Sequence, residues 1–215
     1  MHRLVMLGDS DISRWPADLR PEHQDLISRA PPAENHAAGG AVMSDLLTQL
    51  SGWRASRESS DDGEGITAPA LFLCCAGEND VGSGRPVDAV LGTLRRFLDE
   101  AVGGDGDDRL IFVGPKLEPW LAEDAGSRKL YAKLNTGLAR AVRGHPSGRG
   151  GRAAYVECLT SFCTEESSTV PGAVYGNRAV PDGRFFDGDM LHLNERGYLV
   201  WKRMVEDTIN KMLDT

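Results

Sequence analysis

Four short apolar runs, spaced along the chain, constrain the fold more than any other feature of the sequence. They read "RLVML" from Arg3, "ALFLCC" from Ala70, "RLIFVG" from Arg109 and "AAYVEC" from Ala153. Continuous apolar runs of this length are typical of strands that are covered on both faces, as in a parallel sheet. We also expect a weaker strand at "AENHA", which begins at Ala33.

Between these runs, apolar residues recur at the spacing of one helix face. Four helices are predicted in this way, around residues 42–50, 87–101, 130–142 and 198–212. Asn194 is placed to cap the last of them. Strands that alternate with helices predict a doubly wound α/β sandwich, and 215 residues fit a single domain spanning 1–215. The stretches from Arg54, Gly103 and Gly144 are expected to be surface loops, and the long aperiodic stretch from Thr160 to Phe185 a lid or substrate wall.

Composition excludes several classes of protein. A net charge of −8 argues against a nucleic-acid partner, because binding to phosphates requires basic patches. No apolar window reaches the length of a signal-peptide core or a membrane span, so we expect a cytoplasmic protein without stable membrane insertion. The cysteines do not form two pairs at zinc-ligand spacing, and we expect them to be reduced and structural; they are Cys74, Cys75, Cys158 and Cys163.

Polar residues follow the predicted strands where ligands bind in such sheets. "GDSD" follows the first run, "GEND" follows the run at Ala70, and "GPKLEPW" from Gly114 follows the next. In doubly wound sheets, ligand sites lie beyond the carboxyl ends of the strands. Ser10 and Asn79 therefore fall on the edge of the sheet that is expected to be functional.

These residues supply the roles that hydrolysis of an ester requires. Ser10 offers a nucleophilic hydroxyl, and His192 offers a base that could take its proton. Asp189 stands three residues before His192, where a tight turn would bring its carboxylate onto the imidazole. The Asn79 side chain and the backbone N–H of Gly40, in "NHAAGG", could donate to an oxyanion.

Taken singly, each residue also has a purely structural interpretation. Ser10 could be a turn residue or a helix cap, and Asn79 could be a turn amide bonded to its own backbone. Gly40 could be an ordinary glycine at the start of a helix. A lone histidine such as His192 is also more often structural than catalytic.

The four blocks "GDS", "NHAAGG", "GEND" and "DMLH" occur in the order of the sequence blocks of the SGNH hydrolases, also called GDSL-type esterases. Ser10, Gly40, Asn79 and His192 match the four residues that name this superfamily. Asp189 matches its aspartate, three positions before the histidine. The resemblance runs from Leu4 to the last helix, whose opening "LHLNERGYLVW" also looks like the ending common in that group.

This resemblance implies a flavodoxin-like three-layer α/β/α fold with a central parallel sheet. It implies ester hydrolysis through an acyl-enzyme on Ser10, with His192 as base and then acid and Asp189 orienting it. The backbone N–H groups of Ser10 and Gly40 and the Asn79 amide would form the oxyanion hole. No metal or organic cofactor is expected, and the substrate would be a small-molecule, lipid or sugar ester.

The chain departs from the family pattern in two places. Asp11 places a second carboxylate beside the nucleophile, where it points to solvent or disfavours anionic substrates. In "NHAAGG", Ala37 stands where a glycine is frequent, and Gly39 precedes Gly40. Trp15 follows the nucleophile closely and is a candidate substrate-binding residue, because such a site favours apolar walls. Asp11 is a second candidate, because its carboxylate stands beside the nucleophile.

Three other functions are compatible with the sequence. A magnesium-dependent phosphatase of the haloacid-dehalogenase type would use Asp9 and Asp11, with Asp187 and Asp189 completing an acidic metal site. It also needs a lysine at a strand end, for which the sequence has no clear candidate and Lys116 is the nearest. That interpretation leaves Asn79, Gly40 and His192 without roles. A non-catalytic carbohydrate-binding module on the same fold, or an acyltransferase with the same serine chemistry, is also possible.

Overall fold

Five parallel strands form the centre of the protein, in a computed structural model that describes residues 1–24, 26, 34–59, 68–165 and 179–214. Within these residues the sheet has the order β2-β1-β3-β4-β5, and every neighbouring pair is parallel. The strands are β1 (Arg3–Gly8), β2 (Glu34–Asn35), β3 (Ala70–Cys75), β4 (Arg109–Val113) and β5 (Ala153–Val156). The four strong apolar runs are thus all confirmed as strands, and the weak run at Ala33 contributes the short edge strand β2.

The four predicted helices are confirmed, three of them between strands of the sheet and the last one after the strands. In chain order the helices are α1 (Ser10–Ser13), α2 (Asp45–Ser59), α3 (Glu78–Gly82), α4 (Val87–Val102), α5 (Ala125–Gly144), α6 (Pro146–Arg149) and α7 (Glu195–Leu213). Asn194 caps α7 as predicted, because its side chain accepts the backbone N–H groups of Arg196 and Gly197 at 3.0 and 3.2 Å. Helix α2 continues to Ser59, so the loop predicted from Arg54 begins later than expected.

Alternate side chains of the sheet enter two separate cores. Val5, Phe72 and Phe112 pack with α2, α4 and α5 on one face. Met6, Leu73 and Ile111 pack with α1 and α7 on the other. The three layers of an α/β/α sandwich follow directly, since strands buried on both faces need a helical layer on each.

The long segment before α7 contains a second, small sheet. β6 (Cys163–Glu165) pairs antiparallel with β7 (Ala179–Pro181). The middle of the predicted lid or wall, residues 166–178, lies outside the described residues, as do residues 60–67 of the loop predicted after Arg54. All four cysteines are free, as expected. No helix in the described part of the chain is both long and apolar enough to cross a membrane.

Gly8 ends β1 in a conformation that only glycine adopts readily. Its φ is +153°, and a Cβ at this position would overlap the carbonyl oxygen of Cys75 on the neighbouring strand. The side-chain amide of Gln49 also holds the backbone of Gly8. Its oxygen accepts the N–H of Gly8 at 2.7 Å, and its nitrogen donates to the carbonyl of Gly8 at 2.9 Å. The direction in which the chain leaves the sheet toward Ser10 is therefore set at Gly8.

We expect Gly8→Ala to lower the free energy of unfolding by about 2 kcal/mol or more, because it combines backbone strain with a clash against a strand. Urea denaturation would measure the loss. Gly39→Ala is the matched control, since a Cβ there meets nothing within 4 Å. Equal stability of the two variants would contradict the role given to Gly8.

Candidate active site

Ser10 is the first residue of the short helix α1, immediately beyond the carboxyl end of β1. Asp9 caps this helix and accepts the backbone N–H of Asp11 at 3.1 Å. Ile12 and Trp15 are buried beneath the helix. The hydroxyl of Ser10 therefore lies on a turn that is held in place on both sides. β1 precedes it, and the buried side chains of Ile12 and Trp15 follow it.

Asn79 lies in α3, directly after β3, and holds the neighbouring loop that contains Gly40. Its side-chain amide donates to the carbonyl of Ala41 at 2.9 Å. The next residue, Asp80, is fully buried and accepts the backbone N–H of Met43 at 2.7 Å. Gly40 has a φ of +75° and lies at the exposed tip of this loop. The "GEND" segment thus positions the "NHAAGG" segment.

Asp189 and His192 form a close pair at the turn before α7. The two residues are joined at 2.6 Å through Oδ2 and Nδ1, as their spacing predicts. The other oxygen, Oδ1, accepts the backbone N–H groups of Leu191 and His192 at 3.0 Å each. Met190 takes the left-handed conformation, φ 56°, that closes this turn.

The hydrogen bonds at this turn also favour the ionised form of Asp189 and one tautomer of His192. The backbone N–H of His192, followed by its side chain, holds the pKa of Asp189 well below its usual range. An ionised carboxylate can only accept, so the imidazole places its proton on Nδ1. In a neutral imidazole with this tautomer, Nε2 of His192 carries the lone pair that a general base requires.

The two ends of the chain meet where α1 packs against α7. Trp15 contacts the rings of Tyr198 and Trp201, with centroids 5.6 and 5.4 Å apart. The Tyr198 hydroxyl donates to the backbone carbonyl of Asp11 at 2.8 Å. Because Ser10 begins α1 and His192 precedes α7, this packing brings the two residues to the same edge of the sheet.

One cavity of about 340 Å³ collects most of the predicted residues. Ser10, Asn79 and His192 all line it, and Asp189 is joined to it through His192. Gly40 is not among the lining residues, and it connects to the cavity through the bond between Asn79 and Ala41. A hydroxyl, an imidazole bonded to a carboxylate, and an amide donor are thus found around the same cavity.

The prediction that Trp15 binds substrate is wrong. Only 2% of its surface is exposed, and its ring belongs to the core between α1 and α7. Its indole N–H donates to the carbonyl of Leu19. The position is three residues after Ile12, on the face of the chain that turns inward, so the aromatic ring is buried beneath α1 and does not line the cavity.

Asp11 lines the cavity but does not point to solvent. Its Oδ2 accepts from Nζ of Lys116 at 2.6 Å, and both side chains are almost fully buried. Lys116 also donates to Glu78 at 3.2 Å and to Glu118 at 2.9 Å. We refer to Asp11, Glu78, Lys116 and Glu118 as the carboxylate–lysine cluster; all four line the cavity that Ser10 shares.

The cluster changes the electrostatics of the cavity. Burial, only partly offset by Lys116, raises the pKa of Glu78 and of Glu118. Burial and the adjacent Asp11 raise the pKa of Asp9 to about 8. Burial alone would lower the pKa of Lys116, but its three carboxylate partners outweigh that effect and keep it charged. The sequence pointed to this lysine only through its place after the strand β4.

Three of the four aspartates of the phosphatase alternative have other partners. Asp9 caps α1, Asp11 binds Lys116 and Asp189 binds His192. In the described ranges, no group of three or more histidine, cysteine, aspartate or glutamate side chains is arranged to hold a metal ion. The geometry therefore does not support the site that this alternative needs.

Three solved structures with the same architecture are described as esterases or as a lipolytic protein. A carbohydrate esterase family 3 protein from Talaromyces cellulolyticus has a TM-score of 0.63 at 14% identity, with 100% of both chains covered. An acetyl esterase, solved as a serine-to-alanine mutant with an acetate ion, has a TM-score of 0.65 at 14% identity, covering 100% and 99% of the two chains. A member of the lipolytic G-D-S-L family from Veillonella parvula has a TM-score of 0.61 at 15% identity, covering 96% and 97%.

The chain shares the α/β/α fold of these three proteins. At these identities the likeness establishes the fold, and the chemistry has to be argued from the residues of this chain. No protein-family profile and no curated protein sequence matches it. The shared fold covers 96% or more of the chain, which agrees with the three-layer fold that the resemblance of the four sequence blocks implies.

We expect Lys116→Met to cost about 3–5 kcal/mol of unfolding free energy near neutral pH, because it leaves three buried carboxylates without their cation. Without Lys116 the pKa values of Glu78 and Glu118 rise further, so these groups hold protons that the unfolded chain releases. The loss should therefore grow as pH increases from about 5 to 8.

Thermal or urea unfolding across this pH range measures the effect. Lys133→Met is the control, since Lys133 is exposed and lies 3.8 Å from the exposed Asp88. A loss for Lys116→Met that does not depend on pH would contradict the charge assignment.

Proposed function

We propose that the protein is a serine ester hydrolase that works through an acyl-enzyme on Ser10. The observation that carries the proposal is the cavity shared by Ser10, Asn79 and His192, with Asp189 bound to the far side of the imidazole. The fold shared with esterases supports the same reaction class. The chemistry requires only side chains and backbone groups of this chain, together with water.

In the first half of the proposed reaction, Oγ of Ser10 attacks the ester carbonyl and its proton passes to Nε2 of His192. The carboxylate of Asp189 stabilises the imidazolium that forms. The bond to the alcohol then breaks, and the departing oxygen takes the proton from His192. The acyl group remains on Ser10.

In the second half, water attacks the acyl-enzyme while His192 takes a proton from it. Collapse of the tetrahedral intermediate releases the carboxylic acid and returns the proton to Oγ of Ser10. Transfer of the acyl group to another hydroxyl would follow the same route with a different acceptor. The half-buried position of Ser10 beside an open cavity gives water access to the intermediate.

The developing oxyanion requires donors, which we assign to the backbone N–H groups of Ser10 and Gly40 and to the side chain of Asn79. The Asn79 amide carries two hydrogens, and only one is used by the carbonyl of Ala41. The second is available to the cavity. Asp80 holds the loop in place through Met43, which keeps Gly40 near this donor.

The cavity volume favours a substrate with a short acyl group. About 340 Å³ holds a small ester but not a long acyl chain together with its alcohol. Among the carboxylesterase, deacetylase and lysophospholipase types, the first two fit this space better. The descriptions of two structural neighbours, a carbohydrate esterase and an acetyl esterase, agree with that choice.

A serine-reactive phosphonate should abolish hydrolysis of p-nitrophenyl acetate, and EDTA should leave the rate unchanged. Ser10→Ala should lose the activity and the phosphonate adduct in a mass spectrum, since both depend on Oγ. Ser13→Ala is the matched control, because Ser13 is exposed at the other end of α1. Inhibition by EDTA with no phosphonate adduct would favour the phosphatase instead, and an inert protein that binds glycans would favour the binding module.

Asn79→Ala should lower kcat on the same ester by on the order of 10²–10³, because one oxyanion donor is removed. KM should change much less, since the donor is needed most in the transition state. Asn79→Asp tests the donor separately from side-chain size. Turnover that is unchanged in the alanine variant, with the fold intact by circular dichroism, would refute this role.

A further inference from the structure

The cavity beside Ser10 is lined by an excess of buried acid groups. Four carboxyls, those of Asp9, Asp11, Glu78 and Glu118, lie in its wall, and Lys116 is the only lysine or arginine among the described residues that line it. All five side chains are almost completely removed from solvent. Burial raises the pKa of Asp9, Glu78 and Glu118, and a cation in the cavity would favour the ionised forms of these groups, because charges interact strongly where water is excluded.

One oxygen atom of the cluster has no hydrogen-bond partner. Oδ1 of Asp11 is buried and has no hydrogen-bond donor among the described residues. One ammonium, that of Lys116, is shared by three carboxylates at 2.6, 3.2 and 2.9 Å. An unpaired carboxylate oxygen in a buried wall is costly, and a positively charged group in the cavity would offset that cost.

Two aromatic side chains also line the cavity. Trp120 lines the cavity while half of its surface remains exposed, and its indole N–H donates to Glu118. Tyr131 lines the cavity as well. Carboxylates combined with the faces of tryptophan and tyrosine rings form a favourable environment for an organic ammonium group, through Coulomb and cation–π attraction.

We propose that this cavity binds a positively charged, ammonium-bearing alcohol portion of the ester substrate and disfavours anionic esters. The proposal rests on the esterase function proposed above. The alcohol is assigned to the cavity because His192, which protonates the departing alcohol, lines the same space as the carboxylate–lysine cluster. The net charge of −8 would also attract cationic substrates toward the protein.

A neutral sugar alcohol is the main competing occupant. Its hydroxyls could donate to Asp11 and Glu118, and Trp120 could stack on the sugar ring. It carries no charge, however, and would not stabilise the ionised carboxyls of the cluster, whereas an ammonium group would. Charge therefore favours the cation, and the experiment includes the sugar as a separate arm.

Two alcohols of nearly equal size and shape, of which only one is charged, separate the effect of charge on binding from the effect of shape. Choline and 3,3-dimethylbutan-1-ol would each be tested as inhibitors of p-nitrophenyl acetate hydrolysis at constant ionic strength. We expect choline to have an inhibition constant lower by about tenfold or more, since only the positive charge differs. The anionic 4-hydroxybutyrate should inhibit more weakly than either, and glucose more weakly than choline.

Removing one charge of the cluster should reduce this preference. Glu118→Gln keeps the shape of the side chain and should lower the ratio of the two inhibition constants several-fold. Glu78→Gln repeats the test from the other side of Lys116, in case the first variant does not fold. Glu100→Gln, exposed on α4, is the matched control and should leave the ratio unchanged.

The outcomes separate this inference from the proposed function. If p-nitrophenyl acetate is hydrolysed with dependence on Ser10 but the neutral alcohol or glucose inhibits as well as choline, the cation site is wrong and the esterase stands. Failure of choline to inhibit, or a ratio that persists in both glutamine variants, also overturns it. If no Ser10-dependent hydrolysis is found, the proposed function itself fails.

Discussion

The packing of α1 against α7 is the contact on which the rest of the site depends. Trp15, Tyr198 and Trp201 form one aromatic cluster that joins the first helix of the chain to the last. Removing a buried tryptophan from such a cluster typically costs about 3–5 kcal/mol. The same contact determines where Ser10 lies relative to His192, because each of these residues is next to one of the two helices. Stability and the geometry of the site are therefore provided by the same side chains.

Much of this arrangement could be predicted because it follows from short-range rules. Continuous apolar runs predicted the strands, and the carboxyl ends of parallel strands brought Ser10 and Asn79 to one edge of the sheet. The pairing of Asp189 with His192 needed only a turn of three residues. The prediction for Trp15 is wrong for an equally local reason. Trp15 is close to Ser10 in sequence, but it lies three residues after Ile12 and faces the core with it.

The carboxylate–lysine cluster could not be predicted in the same way. Asp11 and Lys116 are 105 residues apart in sequence, and Glu78 and Lys116 are 38 apart. Charged residues in loops are normally solvated, so nothing in their local sequence indicates burial. Only the position of Lys116 after β4 hinted that it belonged to the functional edge. Burial of these groups depends on three strand ends converging, which is a property of the assembled sheet rather than of any segment.

Stability alone does not account for such a cluster. Apolar side chains of similar volume usually fill a buried space at equal or better free energy than an ion network does. The carboxylate–lysine cluster lies in the cavity wall next to Ser10, so its charge also acts on whatever occupies the cavity. Glu78 in the cluster and Asn79 in the proposed oxyanion hole are adjacent in α3, so the same turn carries both. In the proposed esterase, a substitution at Glu78 would therefore also act on the proposed oxyanion donor, which would couple the choice of substrate to the rate of the chemical step.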